Sequence, residues 1–455
     1  MRRLVIIFLI GLAVYAAFAG RRLAIHTQDN HFVYLADAFL KGQTELVRAP
    51  HHGNDWASYI ALQLKGKSAD RHGAEVKGFF TRRKGKPNQF QTVRGETIQV
   101  PPGDRGTKKT HYFVSFPPGP AVLMMPWVAA VGYGANDVIF TVILAALNLV
   151  FFLLLLLRFR DAGYIKRTDR EIYWFVLFFG FGTAHLWCAV LGQVWFTALI
   201  VGLTFHCLYL YFALDLRRPF LAGLFLSFAF ATRASLVFAA AFFYWQLFVT
   251  QKNERSAGEK VRCFAIFSAP CLLVGLSLLL YNYIRFENAL EFGHTYLAGG
   301  HIPRIRDFGL FHPHFLNRNL AAAFTLTPRL VDSAPYIQLT KHGMSIFLST
   351  PALIWLFVAR SDRKIRKLLW LVTGVISIPI LFYQNTGWEQ FSYRFILDVL
   401  PYLALILAAS QIKLNRWLKG AILAGVLINA LGAATFQRAH TVKLYGHFMA
   451  EEPRK

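Results

Sequence analysis

The chain has 455 residues, is 55% hydrophobic and 16% aromatic, and carries a formal net charge of +25. Apolar runs close to the roughly 20 residues that cross a bilayer recur along it, which excludes a soluble multidomain protein. Many of the Lys and Arg residues fall in short loops between these runs, where they set orientation, so no nucleic-acid partner is expected.

The first run, Leu4 to Phe18, follows Arg2-Arg3 and ends in Ala17-Phe18-Ala19. This pattern fits a cleavable secretory signal or an uncleaved anchor. We read residues 1–20 as a signal-anchor transmembrane helix; on either reading the next segment lies outside the cytoplasm. That segment, residues 21–135, is expected to be a long periplasmic loop with interfacial helices. It opens on Thr27-Gln28-Asp29-Asn30, followed by an amphipathic helical pattern from His31 to Leu40. Asp29 therefore places a carboxylate where water meets headgroups, as a functional group or as a helix N-cap. Asp37, about two turns on, shares roughly that face as a candidate contact for an acceptor or as a solvated helix residue.

Between Lys41 and Lys109 there are fourteen Lys/Arg against six Asp/Glu. The central part, Gly66 to Lys109, reads as an extended, strand-poor basic insertion, either a solvated loop or a surface for anionic headgroups or polymers. His51-His52-Gly53-Asn54-Asp55 and His312-Pro313-His314 read as mobile polar loops rather than metal clusters. The apolar run after Ser115-Phe116-Pro117-Pro118-Gly119-Pro120 is placed in the interface, because a crossing there would put the basic loop Arg158 to Arg170 outside.

Residues 136–283 and 342–436 are read as transmembrane helices, separated by a second periplasmic loop at 284–341 and followed by a tail at 437–455. Spans are expected at about 136–157, 172–190, 194–213, a short pair within 219–250 turning near Thr232-Arg233, 263–283, 342–359, 368–384, 395–411 and 417–436. With the anchor this makes about eleven, in an all-α polytopic membrane protein with its amino terminus inside. Cys188, Cys207, Cys263 and Cys271 lie in apolar runs without ligand spacing and read as packing residues.

Several segments together resemble the GT-C superfamily of membrane glycosyltransferases, in particular bacterial protein mannosyltransferases and lipid A aminoarabinose transferases. They are the Asp29 segment with Tyr34, Leu35, Ala36 and Gly42; Ser115 to Pro120; Ala231-Thr232-Arg233; Tyr281 to Phe286 with Glu291-Phe292-Gly293; Gly343 to Pro351; and Phe391 to Phe395 leading to Asp398 and Pro401. The resemblance implies a multi-pass protein of the bacterial inner membrane with a periplasmic active site. Its donor would be a sugar on a polyprenyl phosphate, and transfer to a lipid, glycan or protein acceptor would proceed with inversion. It also implies that Asp29 is the catalytic base or positions the acceptor. The family's Asp-Glu pair is Asp29-Asn30 here, and Phe116 stands where many members carry a Lys before the Pro-Pro pair. The divalent ion that some relatives use is therefore not assigned, and no cofactor is expected beyond the donor.

Inverting transfer needs a base near the acceptor hydroxyl and cationic groups on the leaving phosphate. Arg285, Arg394 and Arg233 sit at outer helix ends, where a guanidinium suits lipid phosphate or pairs with Glu287, Glu291, Glu389 or Asp398. His111 and Tyr112 are further candidates for that phosphate. Trp388 is a candidate for stacking on sugar, or part of an interfacial aromatic belt. Rival readings are a transporter or lipid flippase, and a catalytically inactive assembly protein of the same fold.

Overall fold

The structure is a computed structural model that describes residues 1–81, 88–251, 254–297, 302–360 and 362–446. Part of the basic insertion (82–87), Lys252 and the end of the tail (447–455) lie outside the described residues. The chain is mostly helical and divides into two compact units. One comprises Met1–Thr27, Asn136–Leu272 and Phe308–Lys455; the other comprises Gln28–Ala135 and Leu273–Asp307.

The larger unit contains α1 (Arg2–Ala19), α4 (Asp137–Asp161), α5 (Asp169–Phe181), α6 (Gln193–Ala213), α7 (Pro219–Phe230), α9 (Arg363–Leu381), α10 (Leu400–Ala409) and α11 (Arg416–Thr435), and it begins α8 (Ala257–Phe286). Among the described residues, five helical segments are long and apolar enough to cross a membrane: 2–24, 137–161, 193–216, 257–286 and 416–435. The protein is therefore membrane-embedded. Of the eleven expected spans these account for five; the other six fall on helices that are shorter, interrupted or open on basic residues. Gly182 ends α5 after 13 residues, Pro351 follows a four-residue helix, and α9 opens on the basic residues Lys364, Arg366 and Lys367. The expected pair within 219–250 does form as two short apolar helices, broken at Thr232-Arg233.

Buried carboxylate and amide groups hold this unit together. Asn136 caps α4 by accepting from the backbone N–H groups of Val138 and Ile139. Asp137 accepts from Thr27 N (2.9 Å), Thr27 Oγ1 (2.5 Å) and Gln193 N (2.9 Å), which fastens the end of the amino-terminal segment to the start of α6. Small residues then let helices meet backbone to backbone, as is common where lipid offers no hydrophobic drive to associate. A Cβ at Gly223 of α7 would lie 2.0 Å from the Phe267 carbonyl oxygen of α8.

The smaller unit departs from the all-α expectation. Its core is an antiparallel sheet of β1 (Trp56–Leu64), β2 (Glu75–Phe80), β3 (Gln89–Thr92), β4 (Thr97–Gln99) and β5 (Arg105–Val114), in the order β4-β3-β2-β1-β5. The basic insertion is thus a folded sheet rather than a strand-poor loop. Leu62, Leu64, Val76, Phe90, Ile98 and Val100 form one core cluster, while Ala57, Tyr59 and Phe113 pack with Phe286, Tyr296 and Leu297 in another. Lys108 and Lys109 of the edge strand β5 remain exposed, a common protection of an open sheet edge.

Helix α2 (His31–Leu40) belongs to this unit and packs on α3 (Gly119–Val131). It stops in a Schellman turn: Gly42 takes φ +71°, its N–H donates to Phe39 O (3.0 Å), and Gln43 N–H donates to Ala38 O (3.0 Å).

Gly223→Ala is expected to force α7 and α8 apart and to destabilise the protein by about 1–3 kcal/mol, the usual cost of overpacking. Thermal unfolding in detergent measures this; an unchanged midpoint would show that the two backbones are not in contact.

Candidate functional site

Helix α2 starts at His31 with Asn30 at the cap position, so Asp29 lies in the turn before it. Its side chain is only 14% exposed. Asn54 Nδ2 donates to Asp29 Oδ1 at 3.2 Å, and His52 Nε2 lies 3.6 Å from the same oxygen. The tautomer of His52 follows from its other nitrogen. Asn54 N–H donates to His52 Nδ1 (3.2 Å), so the neutral ring carries its proton on Nε2, within 3.1 Å of the Gln28 carbonyl oxygen. The segment 51–55, expected to be a mobile loop, thus supplies two side chains to Asp29.

His31 fixes that segment to the helix. Its imidazole is fully buried and lies flat on Trp56, with ring centroids 3.7 Å apart at 7°. Its Nε2 is 3.2 Å from Asn54 O, which can only accept. Burial lowers the pKa of His31 from 6.5 to about 3, against the opposing pull of nearby backbone carbonyls, and keeps the ring neutral.

An aromatic chain runs from here to Asp37. Trp56 meets Tyr34 edge-on (5.2 Å), Tyr34 meets Tyr133 (4.8 Å), and Tyr133 Oη donates to Asp37 at 2.6 Å. Lys41 also donates to Asp37, at 2.9 Å. Burial pushes the Asp37 pKa up, but these two bonds and the charges of Lys41 and Arg48 outweigh it, so the carboxyl titrates below its usual range. Asp37 is therefore neither a solvated helix residue nor an open contact for an acceptor. Arg48 is exposed and sits over the Tyr133 ring at 4.5 Å.

The remaining predicted residues separate. In the smaller unit, Arg285 is buried and donates to Val114 O (2.5 Å), Asn282 Oδ1 (2.6 Å) and Tyr281 O (3.3 Å), with its guanidinium over the Tyr281 ring at 3.8 Å. These bonds tether α8 to the end of β5, and the side chain that makes them is buried. None of them involves Glu287, which pairs with Arg94 (2.8 Å) and Lys77 (3.5 Å). His111 pairs with Glu45 (2.9 Å) and stacks on Tyr59, while the backbone of Tyr112 accepts from Leu46 N.

In the larger unit, Arg233 forms a two-pronged pair with Asp398 (Nε to Oδ1 3.1 Å, Nη2 to Oδ2 2.7 Å), and Ser235 donates to the same carboxylate. Arg394 is buried, with its guanidinium over the rings of Phe196 and Phe395. Trp388 meets His342 edge-on at 4.5 Å. Among the described residues, no group of three or more His, Cys, Asp or Glu is arranged to hold a metal ion.

No protein-family model matches the chain, and neither a curated protein nor a solved structure matches it.

Sequence reasoning missed His52, Asn54, His31 and Arg48. The available signal was the density of polar side chains from His51 to Asp55 directly before the Trp56 strand, since such a run needs partners if the strand is buried.

The depressed pKa of His31 carries a pH dependence with a definite sign. Its folded value, about 3, lies below the unfolded 6.5, so its stabilisation is complete above about pH 6.5 and is lost as pH falls toward about 3. His31→Phe keeps a stacking ring without the proton. The melting temperature of the wild type is expected to drop more steeply than that of His31→Phe between about pH 7 and 4, and parallel curves would refute a buried neutral His31.

Proposed function

We propose that the protein is a glycosyltransferase of the bacterial inner membrane that moves a sugar from a polyprenyl-phosphate donor to a hydroxyl-bearing acceptor on the periplasmic side, with inversion. The observation that carries this reading is the Asp29 carboxylate, held just before α2 by the Asn54 amide with the His52 ring 3.6 Å away. The resemblance of the Asp29 segment and of the later helix-end motifs to membrane glycosyltransferases supports it from the sequence side.

In this reading Asp29 takes the proton of the acceptor hydroxyl while that oxygen bonds to the anomeric carbon. The bond from that carbon to the phosphate oxygen breaks, and polyprenyl phosphate leaves with the electron pair. No oxidant or reductant is required. Asn54 and His52 orient the carboxylate, which is a matter of geometry worth several orders of magnitude in rate when the base is misplaced. Charge grows on the leaving phosphate, and a guanidinium is suited to stabilise it. Arg48 is assigned this role in place of Arg285, because it is exposed and oriented by Tyr133, whereas Arg285 is buried and bonded to backbone and side-chain acceptors.

Asp29→Asn is expected to leave membrane insertion intact and to lower transfer from a labelled polyprenyl-phosphate sugar by about 10²–10⁴, the range of general-base catalysis. Arg48→Ala is expected to lower kcat and kcat/KM for the donor together. Wild-type transfer by Asp29→Asn would remove the assignment of the base. No donor consumption by the wild type would favour a transporter or an inactive relative.

A further inference from the structure

Helices α1 and α5 both pack on α4 but touch each other mainly at two places. At one end Arg3 Nη1 lies 2.5 Å from Asp169 Oδ2. At the other, Tyr15 Oη donates to Gly180 O (3.0 Å) and its ring meets Phe181 at 5.3 Å. Between these clamps the helices part, and an apolar groove of about 340 Å³ opens, lined by Ile6, Ile7, Ile10, Tyr173, Val176 and Leu177 and floored by Leu149. Gly11 and Gly180 make the floor possible, because a Cβ at either would come within 2.7 Å or 2.1 Å of a Leu149 methyl.

Two features define what fits. The first is length: from Arg3 to Tyr15 is twelve residues of α1, about 18 Å at ~1.5 Å per residue. One leaflet is roughly 15 Å, half of a ~30 Å hydrocarbon core. The groove therefore has the length of one acyl chain in one leaflet. The second is charge. Asp169 is shared by Arg3 and by Arg160 Nη1 (2.5 Å), while Arg2 and Arg170 are exposed beside it. With Glu171 paired to Arg167, the guanidinium groups of Arg2, Arg3, Arg160 and Arg170 outnumber the carboxylates of Asp161 and Asp169, which leaves this end positive, and the Arg3 side chain remains 70% exposed.

We propose that this groove is a binding site for an anionic glycerophospholipid, with one acyl chain laid between α1 and α5 and the phosphate group on the Arg2, Arg3 and Arg160 cluster. The positive-inside pattern of the chain puts the lipid in the cytoplasmic leaflet, where anionic headgroups concentrate. The site is independent of the reading of Asp29 as a base.

The test uses full-length protein in nanodiscs of phosphatidylcholine carrying a trace of a lipid with a photoreactive acyl chain, either phosphatidylglycerol or phosphatidylcholine, with crosslinks mapped by mass spectrometry. The phosphatidylglycerol probe is expected to label residues 6–10 and 173–177 about fivefold more than the phosphatidylcholine probe, the effect of one cationic side chain near an anionic headgroup. Arg3→Ala should remove most of that preference and Arg3→Lys should keep it. Asp169→Asn, which adds net positive charge, should increase it. Ile7→Trp, which fills the groove, should abolish labelling by both probes there. Equal labelling by the two probes, a preference indifferent to both Arg3→Ala and Asp169→Asn, or crosslinking of α1 to a second copy in place of lipid would each overturn the proposal.

Discussion

The stacked pair of His31 and Trp56 is the constraint on which the candidate site depends. His31 begins α2 and Trp56 begins β1, so one ring contact at 3.7 Å joins the helix that follows Asp29 to the sheet that follows Asn54. The contact is available only to a neutral imidazole, since a buried charged ring would carry the full desolvation penalty of an ion. Burial supplies that neutrality itself by lowering the pKa to about 3. The ring's Nε2 then takes the Asn54 carbonyl, which sets the backbone of the 51–55 segment and so brings the Asn54 amide and the His52 ring to Asp29. Helix, strand and segment are each held by one another through a single buried side chain.

Asp29 and Asp37 lie eight residues apart and have been given opposite electrostatic settings. Asp37 is bound by a phenol and an ammonium and sits near a guanidinium, so its negative charge is answered by cations. Asp29 accepts from the Asn54 amide, and the His52 ring lies 3.6 Å away with its Nε2 on the Gln28 carbonyl. Hydrogen bonds from neutral donors fix the position of a carboxylate while cancelling less of its charge than a cation does. That difference is what a base requires, and it explains why two carboxylates at one helix cannot be given the same role on spacing alone.

The long apolar helices were legible in the sequence because hydropathy over about 20 residues depends on no tertiary contact. The break at Thr232-Arg233 was legible for a related reason, since charge on both sides of 219–250 demanded an even number of passes. The sheet was not. β3 and β4 have four and three residues, too few for alternation to register, and β1 is covered on both faces, which erases the period-two pattern. The fate of Arg285 was equally hidden, because its acceptors are the Val114 carbonyl, far away in sequence, the Tyr281 carbonyl one turn back and an Asn three residues before it. Composition told that a guanidinium at a helix end needs partners; it carried no information on whether those partners were phosphate or protein.

The pair of Arg233 and Asp398 shows the same economy in the larger unit. Asp398 is 2% exposed and receives three bonds, two from Arg233 and one from Ser235. Removing either partner of such a buried pair typically costs about 3–5 kcal/mol, because the other charge is then stranded. A guanidinium committed to that degree cannot also meet a mobile lipid phosphate without first abandoning the carboxylate. Cations that bind a substrate which arrives and leaves must instead be held by weak, renewable contacts. Arg48 over the face of Tyr133 has that character, since a ring face orients a guanidinium without consuming its N–H donors. Carboxylate and carbonyl acceptors thus retain the buried Arg233 and Arg285, and what sets Arg48 apart is its exposure over the Tyr133 ring.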